Sequence, residues 1–172
     1  MFSVVTRELV ARYPGLIDPQ PEWIFNNAGG AMGTLAILHA SVREYVIFFG
    51  TPIGTMGHTG RYSFVDDWFF MLDGEMWNCT EGQYERDVFK AGDTIHLPRR
   101  KALAYRVPDH AWALEYARGV IPTMLGFGLA DTVFSTLDYR TLYRTMRIYG
   151  RCLLRNRRAG ALAPAPQTTS EH

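Results

Sequence analysis

The chain has 172 residues, enough for one domain with a real core. Hydrophobic residues make up 47% and aromatics 13%, which excludes a disordered chain, and the net charge of +1 excludes an overall pull toward nucleic acid. Cys79 and Cys152 fit no metal or redox spacing, the charged start does not read as a signal peptide, and no apolar run reaches the roughly 18 residues of a spanning helix.

Residues 3–13 set Val5, Leu9 and Val10 at helical spacing among charges, which predicts a short amphipathic helix ended by Pro14-Gly15. Residues 17–22 are a proline-containing connector, so 1–22 form an N-terminal helix and linker. The small residues 28–33 suit a tight bend or close backbone packing; no Gly-Lys-Ser/Thr follows, as a phosphate loop would need. Residues 35–39 fit a helix or a buried strand equally, whereas 43–50 are richer in β-branched and aromatic residues and predict a strand. Pro52, Gly54, Gly57 and Gly60 mark 51–60 as a turn region. Strand candidates follow at 64–72, 75–79, 83–90, 94–97, 102–106 and 111–117, punctuated by Gly74, Gly82, Gly92 and Pro98. Such spacing predicts an antiparallel sandwich or barrel, and AGDTIHLPRRKALAY looks like half of a cupin barrel.

Beyond residue 121 the pattern becomes helical. Residues 122–134 are almost wholly apolar, with Asp131 as their one charge, and Asp138 suits the cap of a second helix over 139–155. Arg140, Arg144, Arg147, Arg151 and Arg155 share one face of that helix, with Leu142, Met146, Tyr149 and Leu153 largely on another. The pair, 122–158, fits a membrane-surface platform with arginines at phosphates, or a helical layer packed on the barrel with a solvated basic face. Residues 159–172, rich in Ala and Pro, predict a disordered tail.

Glu115 lies within the apolar stretch 111–117, beside Leu114 and Tyr116 and near Trp112. Burial there penalises the charged form unless a partner or a bound cation compensates. Glu115 is therefore a catalytic acid/base, a cation anchor, half of a buried pair, or a solvent-facing carboxylate on an edge strand. Asp66-Asp67 heads the run WFFML, and adjacent strand residues point to opposite faces, so one acid can turn inward. If Asp67 meets Glu115 inside a barrel, the two share a proton and can pass it to an apolar substrate; otherwise both aspartates are surface acids. His39, His58, His96 and His110 lack the spacing of a metal site, so no metal is expected; His96 is the one positioned to line a cavity, and His39 reads as a core histidine. Of the aromatics Tyr45, Phe49, Tyr62, Trp68, Phe70, Trp77, Tyr105, Trp112 and Tyr149, most fill the core, and a subset can wall a lipophilic cavity.

The segments WIFNNAGGAMGTLAILHASVREYVIFFGT, GHTGRY, ALEYARGVIP and LADTVFSTLDYRTLYRT resemble the family of the fungal sterol C8 isomerase and the sigma-1 non-opioid intracellular receptor, from about residue 23 to residue 155. FNNAGGAMG, Asp66-Asp67 and LYRT look closer to the isomerase, whereas GRY, EYARGVIP and LADTVFST look closer to the receptor. The resemblance implies a cupin-like β-barrel over 23–121 around a lipophilic pocket, closed by two C-terminal membrane-associated helices over 122–158. It implies residence at the endoplasmic reticulum membrane and, from the receptor, a homotrimer. The isomerase reading is a cofactor-free shift of a sterol ring double bond from Δ8 to Δ7, and the alternative is a non-enzymatic binder of cationic amphiphiles and sterols. Cationic amines are expected ligands under either. Matched position by position, Glu115 falls on the family's amine-binding carboxylate, with Asp67, or else Asp66, as its partner acid. The pocket positions are Leu35, Tyr45, Phe49, Tyr62, His96, Met124, Leu125, Thr145 and Tyr149. Two departures stand out. One extra residue lies between Gly60 and Gly74, and the chain starts past the family's N-terminal spanning helix, which bears on topology and trimerisation.

Overall fold

The small-residue cluster is a hairpin turn. Gly29 and Gly30 adopt φ of +61° and +82°, the left-handed pair that joins two twisted strands with two residues, β1 (Trp23–Ala28) and β2 (Ala31–Ala40). The segment 35–39 is thus strand, and β1 is a strand that the sequence pattern did not reveal. β3 (Glu44–Thr51) follows, then β4 (Thr55–His58) inside the expected turn region. The computed structural model describes residues 1–159.

β5 (Val65–Cys79) is one strand where two were expected. Gly74 does not end it. At φ +76°, with an added Cβ falling 2.1 Å from His110 O, this glycine lets the strand bend beside an irregularity between Met71 and Asp73 and continue. The first half of β5 pairs with β7 (Thr94–Leu97) and β9 (Ala111–Gly119); the second half pairs with β6 (Asp87–Lys90) and β8 (Ala104–Val107). β6 is shorter than the expected 83–90 strand. All pairings are antiparallel, in the order β1-β2-β3-β9-β5-β8-β4. β4, at one end of that path, meets the β1–β2 turn and the start of β2 at the other: His58 N donates to Gly29 O at 2.9 Å and Met32 N to Thr55 Oγ1 at 2.9 Å, which nearly closes the barrel.

Pleating gives the sheet two buried sides. On β9, Ala111, Ala113, Glu115 and Ala117 face the interior, while Trp112, Leu114 and Tyr116 face the opposite side. α1 (Phe2–Arg12) covers that outer side, with the Phe2 ring 5.0 Å from both Trp23 and Phe48 and 5.2 Å from Trp112. Trp112, Leu114 and Tyr116 therefore pack away from the Glu115 carboxylate rather than around it.

Two helices cover the barrel. α2 (Pro122–Phe134) opens on a proline, whose missing N–H matters least at a helix start, and α3 (Tyr139–Ala159) is capped by Asp138, whose Oδ1 accepts from Thr141 N at 3.0 Å. Asp131 Oδ2 accepts from Gly30 N at 2.8 Å and ties α2 to the β1–β2 turn. The arginine stripe of α3 is partly consumed against the barrel. Arg144 and Arg147 each meet Glu22 at 2.6 Å, and Arg155 meets Asp18 at 3.1 Å, whereas Arg140 and Arg151 stay exposed. The expected tail lies, apart from Ala159, outside the described residues.

Candidate active site

A cavity of about 200 Å³ occupies the barrel interior under α2 and α3. Its wall is mostly apolar, from Leu35, Ile47, Phe49, Phe69 and Ile95 on the strands to Met124, Leu125 and Met146 on the helices. Two carboxyls break that surface. Glu115 is 8% exposed and Asp67 2% exposed.

Strand register explains why they meet. Ala117 of β9 has Tyr45 of β3 on one side and Asp67 of β5 on the other, and Glu115 is the next inward residue along β9. Ala117 is wholly buried and small, so the longer side chains beside it can lean toward the Glu115 carboxylate, the diagonal neighbour across each strand pair. Tyr45 bridges the acids: its hydroxyl donates to Glu115 Oε1 and lies 3.4 Å from Asp67 Oδ2.

Burial dominates the electrostatics. It pushes the Glu115 carboxyl up to about 7, with hydrogen bonds from Tyr45 and Asp67 holding it back. Asp67 is raised well above the ordinary range, first by burial and then by the charge of Glu115. Near neutral pH double ionisation is disfavoured, so the pair shares one proton. Burial raises the Tyr45, Tyr62 and Tyr105 phenols too, so all three stay neutral beside the acids. A cavity of this kind offers an acid, a carboxylate and aromatic faces to an apolar guest, and negative charge to a cation. Among the described residues no group of three or more His, Cys, Asp or Glu is arranged to hold a metal ion.

Of the residues expected to line the pocket, Leu35, Tyr45, Phe49, Tyr62, Met124, Leu125, Thr145 and Tyr149 do so, together with Asp67 and Glu115. Two expected residues lie elsewhere. Asp66 faces outward, where its carboxylate meets Arg99 Nε at 2.7 Å and accepts from Arg99 N at 3.1 Å. His96 is exposed and stacks on Trp68 with ring centroids 4.8 Å apart. Its neighbour Ile95 faces the cavity instead, since a one-residue offset in a strand exchanges faces. The alternating burial of Thr94–Leu97, with Ile95 and Leu97 both apolar, was the available signal. Phe69, on the strand face it was expected to share with Asp67, and Tyr105, one of the aromatics that could wall a cavity, also line it; Asn78 does too and was not foreseen.

Residues 1–160 match the family model described as ERG2 and Sigma1 receptor like protein. The C-8 sterol isomerase of Pyricularia oryzae is 54% identical over 81% of this chain and 63% of its own length. The C-8 sterol isomerase ERG2 of Gibberella zeae is 49% identical over 92% of this chain and 67% of its own. The sigma non-opioid intracellular receptor 1 of Taricha granulosa is 46% identical over 89% of this chain and 69% of its own. The chain thus spans about two thirds of the length of the curated relatives it matches. Among solved structures, the polyketide cyclase RemF of Streptomyces resistomycificus superposes with a TM-score of 0.49 at 15% identity, covering 59% of this chain and 80% of that one. An RmlC-like cupin of Shewanella frigidimarina gives 0.47 at 17% identity, covering 59% and 85%. With a family match across the described chain and relatives near half identity, the chain belongs to the ERG2 and Sigma1 receptor like protein family.

Proposed function

We propose that this chain is a sterol Δ8 to Δ7 isomerase that works by adding and removing a proton. The observation that carries the reading is the second inward acid: Asp67 is buried beside Glu115 and shares Tyr45 with it. One carboxylate suffices to hold a cation, whereas moving a double bond needs a donor and an acceptor. In this mechanism protonated Asp67 gives its proton to C9 of the C8=C9 alkene. The alkene electron pair forms the new C–H bond and leaves a tertiary cation at C8, which the Glu115 carboxylate stabilises. Glu115 then takes the proton from C7, and that C–H pair becomes the C7=C8 double bond. Return of the proton from Glu115 to Asp67, by way of the Tyr45 hydroxyl that bridges them, restores the starting state. The sequence needs no cofactor. The 46% identity to the sigma receptor relative supports a second reading, in which the same pocket binds cationic amphiphiles without turning over.

The test is complementation of a yeast strain that lacks its sterol C8 isomerase, with sterols read by mass spectrometry. Restored Δ7 sterols are the expected result. Persistent Δ8 sterols, with the protein expressed and binding a cationic amine tightly, would overturn catalysis in favour of binding alone.

The same reading places the chain at the endoplasmic reticulum membrane, with α2 and α3 toward the lipid. Phe134 is 84% exposed, Tyr143 69% and Leu154 63%, an apolar surface that suits the acyl boundary. No described helix is long and apolar enough to cross a membrane. In liposome flotation, Phe134→Asp combined with Leu154→Asp is expected to reduce binding about tenfold or more, and unchanged flotation would sink this orientation.

A further inference from the structure

We propose that Asn78 receives the 3β-hydroxyl of the sterol and so sets which ring carbons meet the acid pair. This rests on the sterol reading above and names the polar contact that orients the substrate. Asn78 lies in the second half of β5, beyond the bend at Gly74, whereas Asp67 lies in the first half beside β9. Its side chain lines the cavity among Met76 and Leu103, and the residue is only 4% exposed. Asn78 Oδ1 is buried with no hydrogen-bond partner. Of the buried side-chain atoms left without a partner among the described residues, only those of Asp67 and Asn78 belong to the cavity wall.

A buried amide oxygen without a partner is unfavourable, and an apolar residue of the same size would fill the space without that penalty. The unmet capacity points to a guest that supplies the missing bond. An amide both donates and accepts, which matches an alcohol, and it carries no charge that would compete with Glu115 for a cation. Tyr105, the cross-strand partner of Asn78, adds a phenol to the same wall, and Asp67 and Glu115 line the same cavity, so amide and acid pair face one chamber. A sterol presents one hydroxyl at the edge of a rigid hydrocarbon. Anchoring that hydroxyl from a wall distinct from Asp67 fixes the register of the ring system against the proton donor.

The full chain and its Asn78→Leu and Asn78→Ser variants would be given cholest-8-en-3β-ol and cholest-8-ene, which differ only in the hydroxyl. Turnover would be read by mass spectrometry and binding by tryptophan quenching. The wild type is expected to prefer the alcohol by about 10- to 100-fold in kcat/KM, the discrimination available when a site's polar group is left unpaired. In Asn78→Leu that ratio is expected to fall toward one, mainly through a higher KM for the alcohol, with part of the preference kept in Asn78→Ser. A leucine variant that discriminates as the wild type does, or a wild type indifferent to the hydroxyl, would overturn the assignment. If Asn78→Leu melts too early to assay, the serine variant carries the comparison, and an unchanged ratio there also overturns it. Absence of turnover with any chain, alongside wild-type binding that prefers the alcohol and leucine-variant binding that does not, would remove the isomerase reading and keep Asn78 as the hydroxyl's partner.

Discussion

Replacing Glu115 by glutamine is expected to lower isomerisation by at least about 10³-fold and, at the same time, to make the protein more stable at pH 8. Glutamine keeps the size of the side chain and an oxygen to accept from Tyr45, but it neither takes a proton from carbon nor balances a cation. The stability gain follows from the raised carboxyl. Burial moves Glu115 from an ordinary 4.5 to about 7 in the folded chain. Between those values the folded state binds more protons than the unfolded state, so wild-type stability falls as pH rises through the window. Above about pH 7 the full penalty is roughly 3 kcal/mol, and below pH 4.5 it vanishes. Urea melts of wild type and Glu115→Gln should therefore nearly coincide at pH 4 and separate by pH 8, with the variant the more stable. A variant less stable than wild type at pH 8 would mean that the carboxylate is held by attraction in the folded chain, and the proton-sharing pair would be wrong.

Alternation made much of this site legible. Glu115 sits among Ala113 and Ala117 on the buried face of β9, a small-residue pattern that leaves room for a carboxyl. The adjacent pair Asp66-Asp67 guaranteed that one acid could turn inward, but the pleat alone does not say which. Pairing does: Asp67 sits opposite Ala117, so it shares that residue's inward face, and Asp66 opposite Arg118 turns out to Arg99. His96 shows the limit of matching positions along a strand, because a slip of one residue moves a side chain through the sheet. Longer-range geometry was hidden. Gly74 resembles a turn in sequence, and only the approach to His110 shows that it bends a continuing strand. The arginines of α3 look like a solvated face, yet Glu22 and Asp18, more than a hundred residues earlier, take up three of them. The first of those contacts holds the Glu22 carboxyl below its ordinary range. Nothing local marks Asn78, whose importance comes only from what it fails to touch.

Asp67→Asn is expected to separate proton donation from cation binding. The amide occupies the same space, and its N–H can donate to Glu115 as the protonated acid does, but it holds no proton acidic enough to give to an alkene. Turnover should fall by about 10²- to 10⁴-fold, the usual contribution of a positioned acid. Binding of a cationic amine should persist, because Glu115 still supplies the negative charge. The pH dependence checks that assignment. A tertiary amine stays protonated well past neutrality, so on the acid side only the carboxylate titrates. Affinity should be flat above about pH 7 and fall about tenfold per pH unit below it, as Glu115 gains its proton. Wild type and Asp67→Asn should share that acid limb in calorimetric titrations, while Glu115→Gln should bind weakly at every pH. Full activity in Asp67→Asn would place the donor elsewhere in the cavity. Joint loss of turnover and amine binding, in a chain that still melts like the wild type, would mean that Asp67 rather than Glu115 carries the charge a cation needs. The order in which the acids act would then have to be reversed.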